Sequence, residues 1–314
     1  MENSFDMNVA GNDLVLPVAV EPEDITIQGT DITLTGTWAD GKLTIPAKSF
    51  QQDNMPSGVL TLVVKTAGCD YAFTGDFIWV INNASDLLKM RNHMTTSDES
   101  VYGGMLALGA NIDLDDVTIK NNGMSGKTFA GSFDGRMFTL SNMKADTGNI
   151  GLFGHVSGTV KNLKFTNVTV SSYTAAIAGG LFSGTIENVY VQGSVTGDGM
   201  SASSNLANFG SGLLVGRIQS GAKIQNAIVE LTSMKEGLRL ATAFGKLHQS
   251  AAKENAVFTN CYAIGADACT FMKYSSWTKV SFTEGSSNKN FADLAALLAN
   301  DEAAKLAESL GLTN

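Results

Sequence analysis

The chain is poor in the residues that most often announce a chemistry. It has 3 cysteines, 3 histidines and 4 prolines in 314 residues, and only 16% of its residues are charged. Three cysteines are too few for the disulfide framework of a small secreted scaffold. Cys261 and Cys269 are close enough in sequence to bridge across a turn, although two small buried apolar residues is the plainer expectation; Cys69 has no evident partner. His93, His155 and His248 fall into no His-Glu-x-x-His arrangement, so neither a metal nor any other cofactor is expected. No glycine motif opens a helix as a phosphate cradle must, and no Gly-x-Ser-x-Gly elbow presents a nucleophile. No apolar run approaches the roughly 18 residues of a membrane-spanning helix. The 21 basic residues, set against 30 acidic ones, form no stripe, which argues against a nucleic acid or an anionic membrane as partner. No secretory leader is recognisable. Met1-Glu-Asn-Ser-Phe-Asp reads as a start placed after a removed leader, which leaves room for a lipid anchor on the missing part.

What the chain does have is glycine, 33 residues of it, among many β-branched residues. That mixture predicts short strands separated by tight turns. Residues 6–81 alternate as half-buried strands do: Leu14-Val-Leu, Ile25-Thr-Ile, Ile32-Thr-Leu-Thr, Leu43-Thr-Ile and Leu60-Thr-Leu-Val-Val. Asp40-Gly41, between Trp38 and Leu43, is a two-residue hairpin signal, and Ala67-Gly68 plays a similar part between Val64 and Tyr71. About seven such strands in this span predict an N-terminal β-sandwich over 1–81. Asn83-Ala-Ser-Asp86, followed by Leu87, Met90 and Met94 at helical spacing, predicts a capped helix placed as a lid on the next part of the chain.

From there one phrase recurs. It reads Gly-Leu-Phe-Gly, three residues, then Gly-Thr-Val-Lys-Asn-Leu-Lys-Phe at 151–165, and Gly-Gly-Leu-Phe-Ser-Gly-Thr-Ile-Glu-Asn-Val-Tyr-Val at 179–191. It returns at 212–229, and in worn form as Ala243-Phe-Gly with Thr259-Asn-Cys-Tyr-Ala. Self-similarity of this kind means that lengths of chain stack on one another. In 160–170, Val160, Leu163, Phe165, Val168 and Val170 are expected inward, which requires bends near Asn162 and near Thr166-Asn167. Asn142, Asn162, Asn188, Asn226 and Asn260 each precede a strand, and in register they would form an amide ladder. The wider intervals between the later asparagines place insertions at 197–211 and 233–256, expected as loops on one side. At the end, Asn290-Phe-Ala-Asp293 and Asn300 open two short helices, the second stopped by Gly311. They are expected as an opposite lid or as a clamp along the side.

The order of motifs carries a resemblance. Asn83-Ala-Ser-Asp-Leu, then Asn111-Ile-Asp-Leu, Phe129-Ala-Gly-Ser-Phe-Asp-Gly, Gly151-Leu-Phe-Gly and Val160-Lys-Asn-Leu together resemble the GLUG-repeat β-helices of bacterial cell-surface proteins. The stretch before them, with Ile27-Gln-Gly-Thr-Asp-Ile-Thr-Leu-Thr-Gly and Ser57-Gly-Val-Leu-Thr-Leu, is similar to Ig-like modules of the IPT/TIG type. The resemblance implies an all-β chain in three parts: an Ig-like β-sandwich over 1–81, a right-handed parallel β-helix over 82–285 with its N-terminal capping helix, and a C-terminal helical cap over 286–314. It implies a secreted or surface-anchored bacterial protein, an outer-membrane lipoprotein among the options, that binds an extracellular glycan or a host or cell-surface protein. The metallopeptidase found beside some GLUG regions has no counterpart here.

Two sets of residues are candidates for chemistry. Asp113 and Asp115 alternate onto one strand face with Asn111, and Asp134 lies one repeat later, as a calcium site or an acid/base pair would need. On that basis the alternative function is a β-helical polysaccharide lyase or hydrolase using Asp113, Asp115 or Asp134. The other account of Asn111-Ile-Asp-Leu-Asp turns Ile112 and Leu114 inward and leaves the acids solvated or capping turns. Tyr190, with Tyr173 and Trp277, reads as an outward aromatic able to stack on sugar rings. His155 and Arg217 each follow a repeat glycine, Gly154 and Gly216, and read as a variable position. Turnover is not expected of the preferred, adhesive reading.

Overall fold

The computed structural model describes residues 3–7, 13–50, 56–96, 100–115, 117–145, 148, 150–171, 174–197, 211–235, 241–247, 256–265, 271–272, 279–280 and 287–313. The chain is mostly β, as its composition predicts. In the N-terminal part, Leu14–Pro17 pairs antiparallel with Lys42–Ile45, which pairs antiparallel with Thr37–Ala39. The hairpin between the last two turns on Asp40 and Gly41, both at positive φ (50° and 73°), so the Asp-Gly signal is met by a turn of the expected kind. Pro22–Ile27, Gly58–Thr66 and Asp70–Ile81 form a second antiparallel run. Asn3–Met7 joins the Asp70–Ile81 strand in parallel, a pairing that alternation alone does not predict.

Asp70–Ile81 is also the joint of the molecule. Its first part pairs back on Gly58–Lys65, while Ile78–Ile81 run parallel to Met105–Leu108. Residue 81 therefore ends a strand that serves both parts. One apolar cluster runs without a break from Leu14 through Ala263.

Beyond the joint the repeats add parallel strands to two main sheets; Ser211–Gly212 and Ala241–Thr242 form a separate parallel pair, and Lys279–Val280 pairs antiparallel with Phe271–Met272. The main sheet takes Met105–Leu108, Ser132–Asp134, Thr159–Val170, Thr185–Val195, Lys223–Met234, Val257–Ile264 and Lys289–Phe291 in chain order. The second takes Val101–Tyr102, Thr128–Phe129, His155–Val156, Ala178–Phe182, Val215–Ile218, Gly245–Leu247 and Phe271–Met272. Register puts like residues above like: Leu106, Phe133, Val160, Ile186 and Ile224 form one inward column. All five expected inward residues of 160–170 are 0% exposed, and the two bends fall at Asn162 and Asn167, each with φ 53°. At roughly 1.5–3 kcal/mol per buried side chain, each added repeat is strongly favoured to stack.

The glycines before Ser132–Asp134, Thr159–Val170 and Thr185–Val195 are required by that stacking. A Cβ on Gly131, Gly158 or Gly184 would lie about 2 Å from the carbonyl oxygen of Gly104, Gly131 or Gly158 in the preceding repeat. No side chain fits at those three corners, whereas the next two repeats carry Ala222 and Ala256 in the same place.

The helix Ala84–Thr96 buries Leu87, Met90 and Met94, as its spacing predicts. It also buries Arg91, whose guanidinium donates to the carbonyls of Gly151 and Lys120 at 2.8 Å each and to that of Leu152. The C-terminal helices, Leu294–Leu298 and Asp301–Ser309, are capped by Asp293 and Asn300. They lie along the side of the main sheet, where Leu297, Ala303, Ala307 and Leu310 pack on Tyr190, Ile228, Tyr262 and Ile264. Of the two placements expected for them, the clamp is the one found.

Candidate functional site

The candidate carboxylates stand at the feet of asparagine ladders. Asn162, Asn188, Asn226 and Asn260 each sit in the left-handed region, and each Nδ2 donates to the side-chain oxygen of the residue one repeat before. The distances are 3.0 Å from Asn188 to Asn162, 3.0 Å from Asn226 to Asn188 and 3.1 Å from Asn260 to Asn226. At the bottom, Asn162 donates to Asp134 Oδ1 at 3.1 Å. Asn142 does not belong to this column, contrary to the spacing argument. It joins a second, shorter ladder, accepting from Asn167 and donating to Asp113 Oδ1 at 2.8 Å. A ladder in which every amide donates downward needs a pure acceptor as its last member, and a carboxylate is one.

This accounts for the acids locally. Asp113 Oδ1 also accepts from the Asp115 backbone N–H at 3.0 Å, and these bonds, Asn142's first, hold the Asp113 carboxyl below its ordinary range. A general acid needs the opposite displacement. Asp134 Oδ1 accepts from Arg136 N at 2.8 Å, and its Oδ2 lies 3.6 Å from Lys161 Nζ. Asp115 pairs with Lys144 at 3.0 Å in the open. The structure thus places Asp113 and Asp134 on separate ladders. Among the described residues, no three His, Cys, Asp or Glu side chains gather as a metal site would need.

Tyr190 must be corrected as an open stacking surface. Its side chain does leave the main sheet outward, but the C-terminal helices cover it, leaving it 4% exposed. Its hydroxyl donates to Glu230 Oε2, and burial, then Glu230, push its ionisation above the usual tyrosine range. Tyr173, Trp277, His248 and Cys269 lie outside the described residues. Cys261 is buried, and burial pushes its thiol up to about 12, so it is no nucleophile.

The second sheet carries an arrangement of another kind. Register places Thr128, His155, Leu181, Arg217 and Lys246 in one outward column, alternating with the inward Phe129, Val156, Phe182 and Ile218. The His155 ring bridges two repeats: Nε2 bonds the Ser125 carbonyl at 2.8 Å, and Nδ1 accepts from Leu181 N at 3.1 Å. Those partners assign the proton to Nε2. The ring passes so near Gly180 that a Cβ there would meet it at about 3 Å. Burial, foremost, holds the imidazole below its ordinary pKa, and both nitrogens are already engaged.

Arg217 and Lys246 come next, directly opposite each other on adjacent strands. Lys246 is 2% exposed, and burial, with Arg217 second, pushes its ammonium down to about 8. Burial also lowers Arg217, and its Nε is fully buried with no hydrogen-bond partner. Among the described residues neither has an acidic partner. The signal for this pair was in the repeat: each of His155, Leu181, Arg217 and Lys246 follows a glycine, at 154, 180, 216 and 245. The worn Ala-Phe-Gly repeat concealed the last of them.

Compared with protein-family models, curated proteins and solved structures, the chain matches none. No helix among the described residues is long and apolar enough to cross a membrane.

Proposed function

We propose that the chain is a right-handed parallel β-helix of the GLUG-repeat kind carried behind an Ig-like β-sandwich. On this reading it is a non-enzymatic adhesion or binding protein at a bacterial cell surface or beyond it, recognising a glycan or another surface macromolecule. A lipid anchor on a leader would hold it there. The observation that carries the reading is the unbroken parallel register from Ile78 to Lys289, a rigid repetitive face rather than a closed cleft. Ladder spacings of 26 residues widen to 38 and 34 in two consecutive repeats, so extra chain is concentrated in one stretch of the stack. Loops added to a rigid scaffold are the usual carriers of recognition. The engagement of Asp113 and Asp134 in ladders weighs against the lyase or hydrolase alternative.

The test is a glycan array read beside a polysaccharide lyase and hydrolase screen on the full chain. Retention of a glycan class without turnover is the expected result. Turnover abolished by Asp113→Ala would overturn the reading.

A further inference from the structure

We infer that Arg217 and Lys246 form a carboxylate-binding site on the outer face of the second sheet, and that its ligand is an acidic glycan bearing uronic acid residues. The inference rests on the binding reading above and names the ligand class for it. Two cations sit opposite each other on neighbouring parallel strands, a separation of about 4.8 Å between the strands themselves. Side by side they repel, and Lys246 is almost wholly shielded from the solvent that would otherwise hydrate it. Buried donors are seldom left orphaned, yet Arg217 Nε is. Arg91 shows the contrast, because that buried guanidinium is met by three backbone carbonyls, as a structural arginine is. Arg217 is built differently: it is half-buried and faces a second cation.

An anion resolves each of these features at once. A carboxylate accepts two hydrogen bonds from a guanidinium in its natural fork geometry and a third from an ammonium. Leu181, the next residue along the column, is half-buried and apolar, a surface for the C–H face of a sugar ring. Among sugars, a uronic acid carries its carboxylate on a ring that also has an apolar face. His155 takes no part, since its two nitrogens serve the stack.

The experiment titrates the full chain with a set of tetrameric uronates (galacturonate, guluronate, mannuronate), their methyl esters and tetraglutamate. Calorimetry and the NMR signals of isotopically labelled lysine side chains are the readouts. At least one uronate should bind, its ester at least tenfold more weakly. Arg217→Gln and Lys246→Met should each weaken binding at least tenfold, and Lys246→Arg should retain most of it. The Lys246 signal, titrating below an ordinary lysine in the free protein, should move upward in the complex. Should Lys246→Met fail to fold, Arg217→Gln and Lys246→Arg decide alone. The proposal is overturned if no uronate binds, if ester and acid bind alike, or if neither variant changes binding. Tighter binding of tetraglutamate would make the partner an acidic protein and overturn it too. So would an ordinary lysine titration in the free protein, because an acid of the chain's own would then already pair Lys246. Retention of neutral glycans indifferent to both variants removes this site and leaves the binding reading. Uronate binding accompanied by turnover keeps the site and removes the non-enzymatic reading.

Discussion

The outward columns of the two sheets are built on the same register and finished in opposite ways. On the main sheet the column runs Lys164, Tyr190, Ile228, Tyr262 and Lys289, with three apolar residues between two lysines. The chain returns to cover those three with its own terminal helices, and the Tyr190 hydroxyl has an acceptor in Glu230. On the second sheet the corresponding column carries Arg217 and Lys246 before it reaches Met272, with charge where the other has hydrocarbon and no counter-charge among the described residues. A repeat fixes where side chains point. It leaves each face free to be closed for stability or kept charged for a partner, so the contrast between the faces locates function better than the repeat itself.

The largest effect should come from opening the closed face. Tyr262 is 1% exposed and meets Phe291 edge to face at 5.8 Å. Tyr262→Ala should cost about 3 kcal/mol in urea unfolding, the usual range for deleting a buried aromatic. It should also release the terminal helices to hydrogen exchange ahead of the rest. Loss below about 1 kcal/mol would mean that the clamp contributes little.

The charged face should answer with the opposite sign. The Lys246 ammonium is pushed from 10.5 to about 8 in the fold. Between those values the unfolded chain binds the proton and the folded chain does not, so stability rises with pH across that window. Below about 8 both forms are protonated and the full penalty is present; above 10.5 it is gone. The native protein should therefore gain about 2 kcal/mol from pH 8 to 10.5 relative to Lys246→Met. At neutral pH that variant should be the more stable of the two, since an apolar side chain replaces a buried unpaired charge. A less stable variant would mean that Lys246 already has a partner.

The closed face was partly legible in the sequence and the charged face hardly at all, for physical reasons. Inward positions announce themselves because burial restricts them to apolar types, which is why Val160 to Val170 and both asparagine bends could be placed by spacing alone. Tyr190 misled because alternation gives direction and not cover. The missing clue lay in its column mates Ile228 and Tyr262, whose apolar character on three successive repeats signals a covering element. Asn142 and Asn167 compete for one ladder in any reading based on intervals, and only register separates them. Arg217 and Lys246 lie 29 positions apart with unequal insertions around them, and the repeat glycines before them, Gly216 and Gly245, are the signal that aligns them.

The smallest effect sharpens the same contrast at the Tyr190 hydroxyl. Tyr190 donates to Glu230, which also receives Gln192 Nε2 at 3.4 Å. A hydrogen bond to an ionised acceptor is stronger than one to a neutral acceptor, so Glu230→Gln should cost about 1 kcal/mol. Its spectroscopic consequence is more telling than its energy. Burial is the first cause of the raised Tyr190 ionisation and Glu230 only the second, so the variant should lower it and still leave it above that of an exposed tyrosine. Absorbance titration at alkaline pH separates the two causes. If the variant's Tyr190 titrated like a tyrosine in water, the helices would not be excluding solvent from the main-sheet face.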